Sequence, residues 1–173
     1  MKTKWMMDPN QSDILIKMRH SIVAYMTGTQ NKFDGYVEMK NNEIEAASVE
    51  FLINVNNNET ILEPKKAHLK LNNFLDKKEY PIISFKSTSF EKINNNINFL
   101  KGNLTIKNIT KVIELDAEYL GIKSYNGTEK AAFEITGDIN RKDFGLAFTS
   151  FNQAGYLSSG NNIKLIANLE FTV

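Results

Sequence analysis

The sequence contains no cysteine, and its 173 residues include only two histidines, His20 and His68. Without cysteine the chain has no disulfide framework, no thiol nucleophile and no thiolate ligand for zinc. Two histidines are too few for a closed histidine-rich metal site, so only a mixed histidine–carboxylate site stays open. We therefore expect neither a metal centre nor a bound cofactor.

A strong charge of one sign is also missing from the sequence. Lysine and arginine together number 21 and aspartate and glutamate 20, so the formal net charge is +1 at pH 7. A protein that binds nucleic acid concentrates basic side chains on one face, because the phosphate backbone selects them. The short pairs Lys65-Lys66 and Lys77-Lys78 are instead typical of solvated surface. The composition therefore predicts no nucleic-acid partner.

Long hydrophobic runs are missing as well. No segment approaches the ~18 consecutive apolar residues of a transmembrane helix, and residues 1–8 contain no apolar stretch long enough for a secretory signal. We therefore expect a soluble protein with no transmembrane segment. As written, the chain is expected in the cytoplasm, or in the periplasm if an export signal has been removed.

The sequence also lacks recognisable catalytic motifs. The chain has no Ser-His-Asp spacing, no glycine-rich phosphate loop after a strand and no His-Glu-x-x-His motif. Nothing in the sequence singles out a pair of carboxylates for acid–base chemistry. The sequence therefore predicts that the protein is not an enzyme.

The dominant positive signal is an alternation of apolar and polar residues with a period of two. Phe133 and Ile135, for example, alternate with Glu134 and Thr136, as side chains do when successive residues of a strand point to opposite faces. Strands that are apolar on one face only favour an antiparallel sheet, and there are about eight of them. The alternating runs lie at residues 12–20, 36–40, 47–55, 82–88, 97–106, 113–119, 131–136 and 163–173.

The alternation is interrupted in one region, residues 63–78. Its apolar positions do not alternate, and Pro64 suits the first turn of a helix. We therefore predict a short helix at residues 65–71. No internal repeat, linker or change of composition marks a second domain, so residues 1–173 are predicted to form a single domain.

An antiparallel sheet of about eight strands either closes into a barrel or splits into a sandwich. The interior of a closed barrel of this size is filled by its own side chains or holds one small ligand. The inward residues are almost all aliphatic or aromatic, and so lack the donors and acceptors of a sugar or nucleotide pocket. A bound ligand is therefore expected to be long and apolar, since each buried methylene contributes ~0.8 kcal/mol. The alternative is a filled core that binds nothing.

Several blocks of sequence, in order and at matching spacings, carry a resemblance to a known family. Together they resemble the motifs of the bacterial YceI-like, polyisoprenoid-binding proteins, and the resemblance runs from Trp5 to the C-terminus. The blocks are Ala67-His68-Leu69-Lys70, Asn73-Phe74-Leu75-Asp76, Tyr80-Pro81, Ile83-Ser84-Phe85-Lys86-Ser87-Thr88, Gly102-Asn103-Leu104-Thr105-Ile106-Lys107-Asn108-Ile109-Thr110-Lys111 and Ile139-Asn140-Arg141-Lys142-Asp143-Phe144-Gly145.

This resemblance implies an all-β fold, a closed antiparallel eight-stranded lipocalin-like barrel. It also implies a partner, a long-chain isoprenoid or quinone-type lipid that the barrel would bind, sequester or transport. The alternative function is that of a non-catalytic structural or stress-related barrel with a filled interior. Whether the chain forms a homodimer is left open.

Three polar residues are candidates for contact with a ligand head group. His20 falls on the apolar face of the first predicted strand, where a hydrogen-bonded core histidine is the alternative. His68, beside the predicted helix, either contacts a head group or bonds to a loop carbonyl. Arg141 has a planar guanidinium that suits an anionic head group or, two residues on, the carboxylate of Asp143. A third hypothesis for the function is a lipid-modifying enzyme, whose site would lie near His68 and Arg141.

The other predicted ligand contacts are apolar. They come from the inward positions of the alternating runs and from the segment after the predicted helix. These residues are Ile16, Met18, Val49, Phe51, Ile53, Phe74, Ile83, Phe85, Ile113, Leu115, Phe133, Ile135, Leu165, Ala167 and Leu169.

Overall fold

The structure of the chain is a computed structural model that describes residues 2–18, 21–40, 43–54, 82–94, 96–144 and 162–173. The described residues form one sheet of ten strands, and the helix predicted at residues 65–71 lies outside them. The strands are β1 (Lys2–Met7), β2 (Asp13–Met18), β3 (Ser21–Thr27), β4 (Asp34–Lys40), β5 (Glu43–Asn54), β6 (Ile82–Lys92), β7 (Ile97–Ile106), β8 (Ile109–Tyr125), β9 (Thr128–Asn140) and β10 (Asn162–Thr172), and two 3-10 helices span Pro9–Gln11 and Arg141–Phe144.

The sheet closes on itself through β10. One edge of β10 pairs with β9, and the other pairs with β1, where Met7 lies opposite Phe171 and Met6 opposite Thr172. Strand β2 pairs with the same edge of β10, nearer the beginning of that strand. Strands β1 and β2 therefore form one interrupted strand. Strands β4 and β3 pair with β1 and β2 respectively and form the next interrupted strand. With β5 to β10 they complete a closed eight-stranded antiparallel barrel, which confirms the predicted fold.

The two interruptions have a shared local cause. Pro9, which has no N–H to give to a ladder, begins a 3-10 helix that Asp8 caps by accepting a hydrogen bond from the Asn10 amide at 3.0 Å. Gly28, at the break between β3 and β4, lies so close to this helix that a Cβ would be 2.3 Å from the Pro9 carbonyl oxygen. The Gly28 amide also donates to the Ser12 carbonyl oxygen at 2.8 Å. The two breaks therefore pack together as one feature of the barrel wall.

The two ends of the barrel differ. We call the end at which β5 and β9 finish and β6 and β10 begin the upper end. Near the lower end three rings, Tyr119, Phe133 and Phe171, pack together as an aromatic floor. The Phe133 ring centroid lies 5.1 Å from that of Tyr119 and 5.8 Å from that of Phe171, and burial raises the pKa of the Tyr119 phenol. The space above this floor holds the candidate site.

Candidate ligand-binding cavity

The inward side chains of the barrel surround a cavity of about 120 Å³. Every strand from β5 to β10 contributes to its wall, together with β2 and β3, and the lining is aliphatic and aromatic apart from Ser84. The lining residues are Ile14, Ile16, Met26, Val49, Phe51, Ile53, Ile83, Ser84, Phe85, Leu100, Leu104, Ile106, Ile113, Leu115, Ile135, Ile139, Ile163, Leu165, Ala167 and Leu169.

Apart from Ser84, which lies between the inward residues Ile83 and Phe85, the period of two along each strand places these side chains on the inner face. The register between neighbouring strands then sets them side by side. Ile163 of β10 lies opposite Ile139 of β9, and Ala167 lies opposite Ile135. A continuous apolar wall results, because each inward position meets another inward position across the ladder.

Most of the ligand contacts predicted from the sequence lie around this cavity. Their contact with a ligand stays a prediction. The predicted residues that belong to the lining are Ile16, Val49, Phe51, Ile53, Ile83, Phe85, Ile113, Leu115, Ile135, Leu165, Ala167 and Leu169.

Phe133, another predicted ligand contact, lies in the aromatic floor below Ile135 on β9, and its contact with a ligand stays a prediction as well. Alternation gives the face on which a residue lies, but it does not give the height of that residue in the barrel. The remaining predicted contacts lie outside the described part of the chain, namely His20, His68 and Phe74 and the side chains of Met18 and Arg141.

The sequence-based prediction omits several lining residues. Ile14 and Ile163 extend the alternation by one step beyond Ile16 and Leu165, so the period alone is sufficient to find them. Met26 lies opposite Ile14 on β3, a strand that the alternation does not reveal. The other omitted residues are Ser84, Leu100, Leu104, Ile106 and Ile139.

Two inward-facing glycines make room for neighbouring lining residues. A Cβ on Gly102 would lie 2.6 Å from Cζ of Phe85 and 2.5 Å from the carbonyl oxygen of Lys86. A Cβ on Gly137 would lie 2.2 Å from Cδ2 of Leu115, with the next atom 3.4 Å away. A leucine methyl can rotate away, whereas a backbone carbonyl cannot. Gly102 is therefore the more constrained of the two positions.

We expect Gly102→Ala to lower the free energy of unfolding by about 1–3 kcal/mol, the usual cost of over-packing a core. Gly137→Ala is the matched control, with an expected loss below about 1 kcal/mol once Leu115 changes rotamer. Urea denaturation of both variants measures the difference. Equal losses in the two variants would contradict this account of the lining.

The electrostatics of the described lining are simple, since it contains no ionisable side chain. Polar contacts occur at the wall instead, where Lys130 forms an ion pair with Asp8 at 2.9 Å. There the Tyr25 hydroxyl donates to Asp13 at 2.9 Å, and burial and this hydrogen bond raise the pKa of Tyr25.

Among the described residues, no group of three histidine, aspartate or glutamate side chains is arranged to hold a metal ion. No described helix is long and apolar enough to span a bilayer.

A closed antiparallel barrel with an apolar internal cavity defines a class, the lipocalin-like β-barrels. Comparison with known families narrows this class. The model of the YceI-like domain matches residues 5–171, which is nearly the whole chain. The chain therefore belongs to the YceI-like family, as the sequence motifs predict.

Individual relatives agree with this assignment. A UPF0312 protein of Staphylococcus epidermidis is 28% identical to the chain, over 99% of this chain and 98% of that protein. The crystal structure of a Campylobacter jejuni YceI protein is 27% identical, with a TM-score of 0.64, and covers 82% of this chain and 81% of that one. A polyisoprenoid-binding domain from Saccharophagus degradans shares the fold alone, with 9% identity and a TM-score of 0.58 over 98% of each chain.

Proposed function

We propose that the barrel binds a long apolar lipid of the isoprenoid or quinone type inside its cavity and carries or sequesters it unchanged. The observation that carries the proposal is the lining, in which aliphatic and aromatic side chains from eight strands surround one cavity. Such side chains bind by contact and exclusion of water, and they transfer no protons. The polyisoprenoid-binding domain of Saccharophagus degradans, which has the same fold, supports the choice of ligand class.

The energetics favour a chain over a compact ligand. Each methylene moved from water to the lining contributes ~0.8 kcal/mol, so a branched hydrocarbon gains affinity with length and needs no polar partner. The cavity volume of about 120 Å³ is close to that of an engineered apolar cavity that binds benzene. It therefore accepts about one isoprene unit without rearrangement. We expect a longer chain to displace interior side chains as it enters.

Native mass spectrometry of protein purified without detergent, followed by organic extraction, tests the proposal. We expect a bound species whose mass and fragments identify a prenyl chain, at one molecule per barrel. The control is the same protein stripped with organic solvent, refolded and titrated with geranylgeraniol, which should bind saturably. Protein that carries no lipid and shows no saturable binding of any prenyl compound would refute the function.

The small cavity volume also favours a second candidate, a structural barrel whose interior is filled by its own side chains. Interiors of proteins are normally packed to the density of organic crystals, so a cavity of this size requires no ligand to stabilise the fold. This candidate predicts that saturating geranylgeraniol leaves the melting temperature unchanged. A ligand that binds the folded state must raise it.

A further inference from the structure

We propose that Asn98 is the polar anchor for the head group of the ligand, and that this head group is neutral and carries a hydroxyl. The inference rests on the proposed function, because it concerns the same cavity. It adds a chemical class, prenyl alcohols and hydroquinones, and it adds a direction of entry, with the head group innermost.

Asn98 is buried in the barrel interior, and among the described residues its side chain has one long hydrogen bond. It lies on β7, with a side chain that is 3% exposed, on the same face as the lining residue Leu100. Its Nδ2 reaches the carbonyl oxygen of Ala117 at 3.5 Å, the outer limit of a hydrogen bond. No described group donates to its Oδ1. A buried amide with one long bond destabilises the folded state, because folding removes its hydrogen bonds with water and the protein replaces few of them.

The carbonyl that Asn98 contacts already has a partner in the sheet. The amide of Tyr119 donates to the carbonyl of Asn96 at 2.7 Å, so residues 96 and 119 form a hydrogen-bonded pair. Such pairs recur at every second position of an antiparallel ladder, and Asn98 lies opposite Ala117 two residues on. The Ala117 carbonyl therefore accepts from the Asn98 main chain, and the side-chain amide shares it as a weak second donor.

The other buried polar side chains of the described chain differ from Asn98. The Ser12 hydroxyl donates to the Asp8 carbonyl at 2.8 Å and accepts from the Glu170 amide at 3.1 Å. Asn31 donates to the Thr27 carbonyl at 3.2 Å and has further interactions. These two residues have structural roles at the breaks in the strands. Among the described residues Asn98 has no comparable network, which points to a partner that arrives with the ligand.

Asn98 lies directly below the cavity. Leu100 and Leu115 line the cavity and face each other across β7 and β8, and the next inward pair below them is Asn98 with Ala117. Two residues of a strand span ~6.6 Å, so the amide lies one layer of side chains beneath the described space. Ala117, the residue opposite Asn98, has a single methyl as its side chain and is 1% exposed. A ligand that displaces Leu100 and Leu115 would reach the amide.

The chemistry of the amide selects the head group. Its free Oδ1 requires a donor, and its Nδ2 offers a second hydrogen to an acceptor, so a hydroxyl satisfies both. A phosphate offers no donor when fully ionised, and its charge would be buried beside Leu100 and Ala117, which cannot neutralise it. A neutral alcohol or hydroquinone therefore fits this position, and a prenyl phosphate does not.

Three probes with the same sesquiterpene skeleton test the inference: farnesol, farnesene, which lacks the hydroxyl, and farnesyl phosphate. Affinities are measured by displacement of a fluorescent apolar dye from the full chain. In Asn98→Leu we expect affinity for farnesol to fall about tenfold, the effect of losing one buried hydrogen-bond partner. Affinities for farnesene and farnesyl phosphate should stay within about twofold, since neither head group bonds to the amide. Asn103→Leu, the same change on the outer face of β7, is the matched control and should change none of the three.

Stability provides an independent readout. Asn98→Leu should melt at or above the temperature of the unmodified protein, because it removes a buried amide that has one long hydrogen bond among the described residues. If Asn98→Leu does not fold, Asn98→Ala, which adds no bulk, must show the same selective loss of farnesol. Equal changes for farnesol and farnesene, or no change for either, would overturn the inference while leaving the proposed function intact. If the unmodified protein binds none of the probes, the proposed function fails and the inference fails with it.

Discussion

Replacing Ala167 by phenylalanine is expected to weaken binding of a prenyl ligand by at least about 100-fold, or about 2.7 kcal/mol of binding free energy. Ala167 lies in the lining near the middle of β10, with Leu165 and Leu169 on either side. A phenyl ring is the size of benzene, which fills a cavity of this volume. The ring therefore occupies the space that the first part of the chain would take. Titration with geranylgeraniol measures the loss.

The fold should survive this substitution, at a cost of about 1–3 kcal/mol if the ring is slightly too large for the space. Ala132→Phe is the matched control, because Ala132 lies on the outer face of β9 between two inward residues, Ala131 and Phe133. That variant should bind geranylgeraniol normally. Unchanged affinity in Ala167→Phe would show that the ligand binds elsewhere on the protein.

Replacing Phe171 by alanine is expected to lower the free energy of unfolding by about 3–5 kcal/mol, the usual cost of deleting a fully buried phenyl ring. Phe171 is 1% exposed, contacts Phe133 edge-to-face and lies opposite Met7, where β10 meets β1. Its loss removes part of the aromatic floor and one of the contacts that close the barrel. Urea denaturation followed by the fluorescence of Trp5 measures the change.

Phe99→Ala is the control for this prediction, because Phe99 lies on the outer face of β7 and is only half-buried. Its loss should cost clearly less, since less apolar area returns to water. A loss below about 1.5 kcal/mol in Phe171→Ala would mean that the floor does not contribute to stability as its burial indicates.

The sequence predicts the wall of the barrel better than its interruptions. Strands β8, β9 and β10 are visible as alternating runs because one face is buried and the other is solvated. Strand β1 and strand β3 are not, since the breaks at Pro9 and Gly28 divide two long strands into short ones. The bulge at Tyr119 and Gly121 shifts the register by one residue and ends the alternation within β8.

The cavity is likewise predicted in part. The faces of Leu165, Ile135 and Phe133 follow from the period, but their heights depend on how far neighbouring strands are staggered. The stagger is a property of the closed sheet, so Phe133 could not be separated from the lining by alternation. Asn98 illustrates the same limit for a polar residue. A polar residue on an apolar face is visible in the sequence, but its position below the cavity is not.

A crystal structure of the protein grown with saturating geranylgeraniol is the most direct test of the central claim, that the barrel encloses a prenyl chain. We expect continuous elongated density within the interior, in contact with Leu165, Ala167 and Leu169, with Leu100 and Leu115 rotated to admit it. The hydroxyl should lie within hydrogen-bonding distance of the Asn98 amide. An interior filled only by the side chains of the protein, with the lipid absent or bound on the outer surface, would contradict the claim.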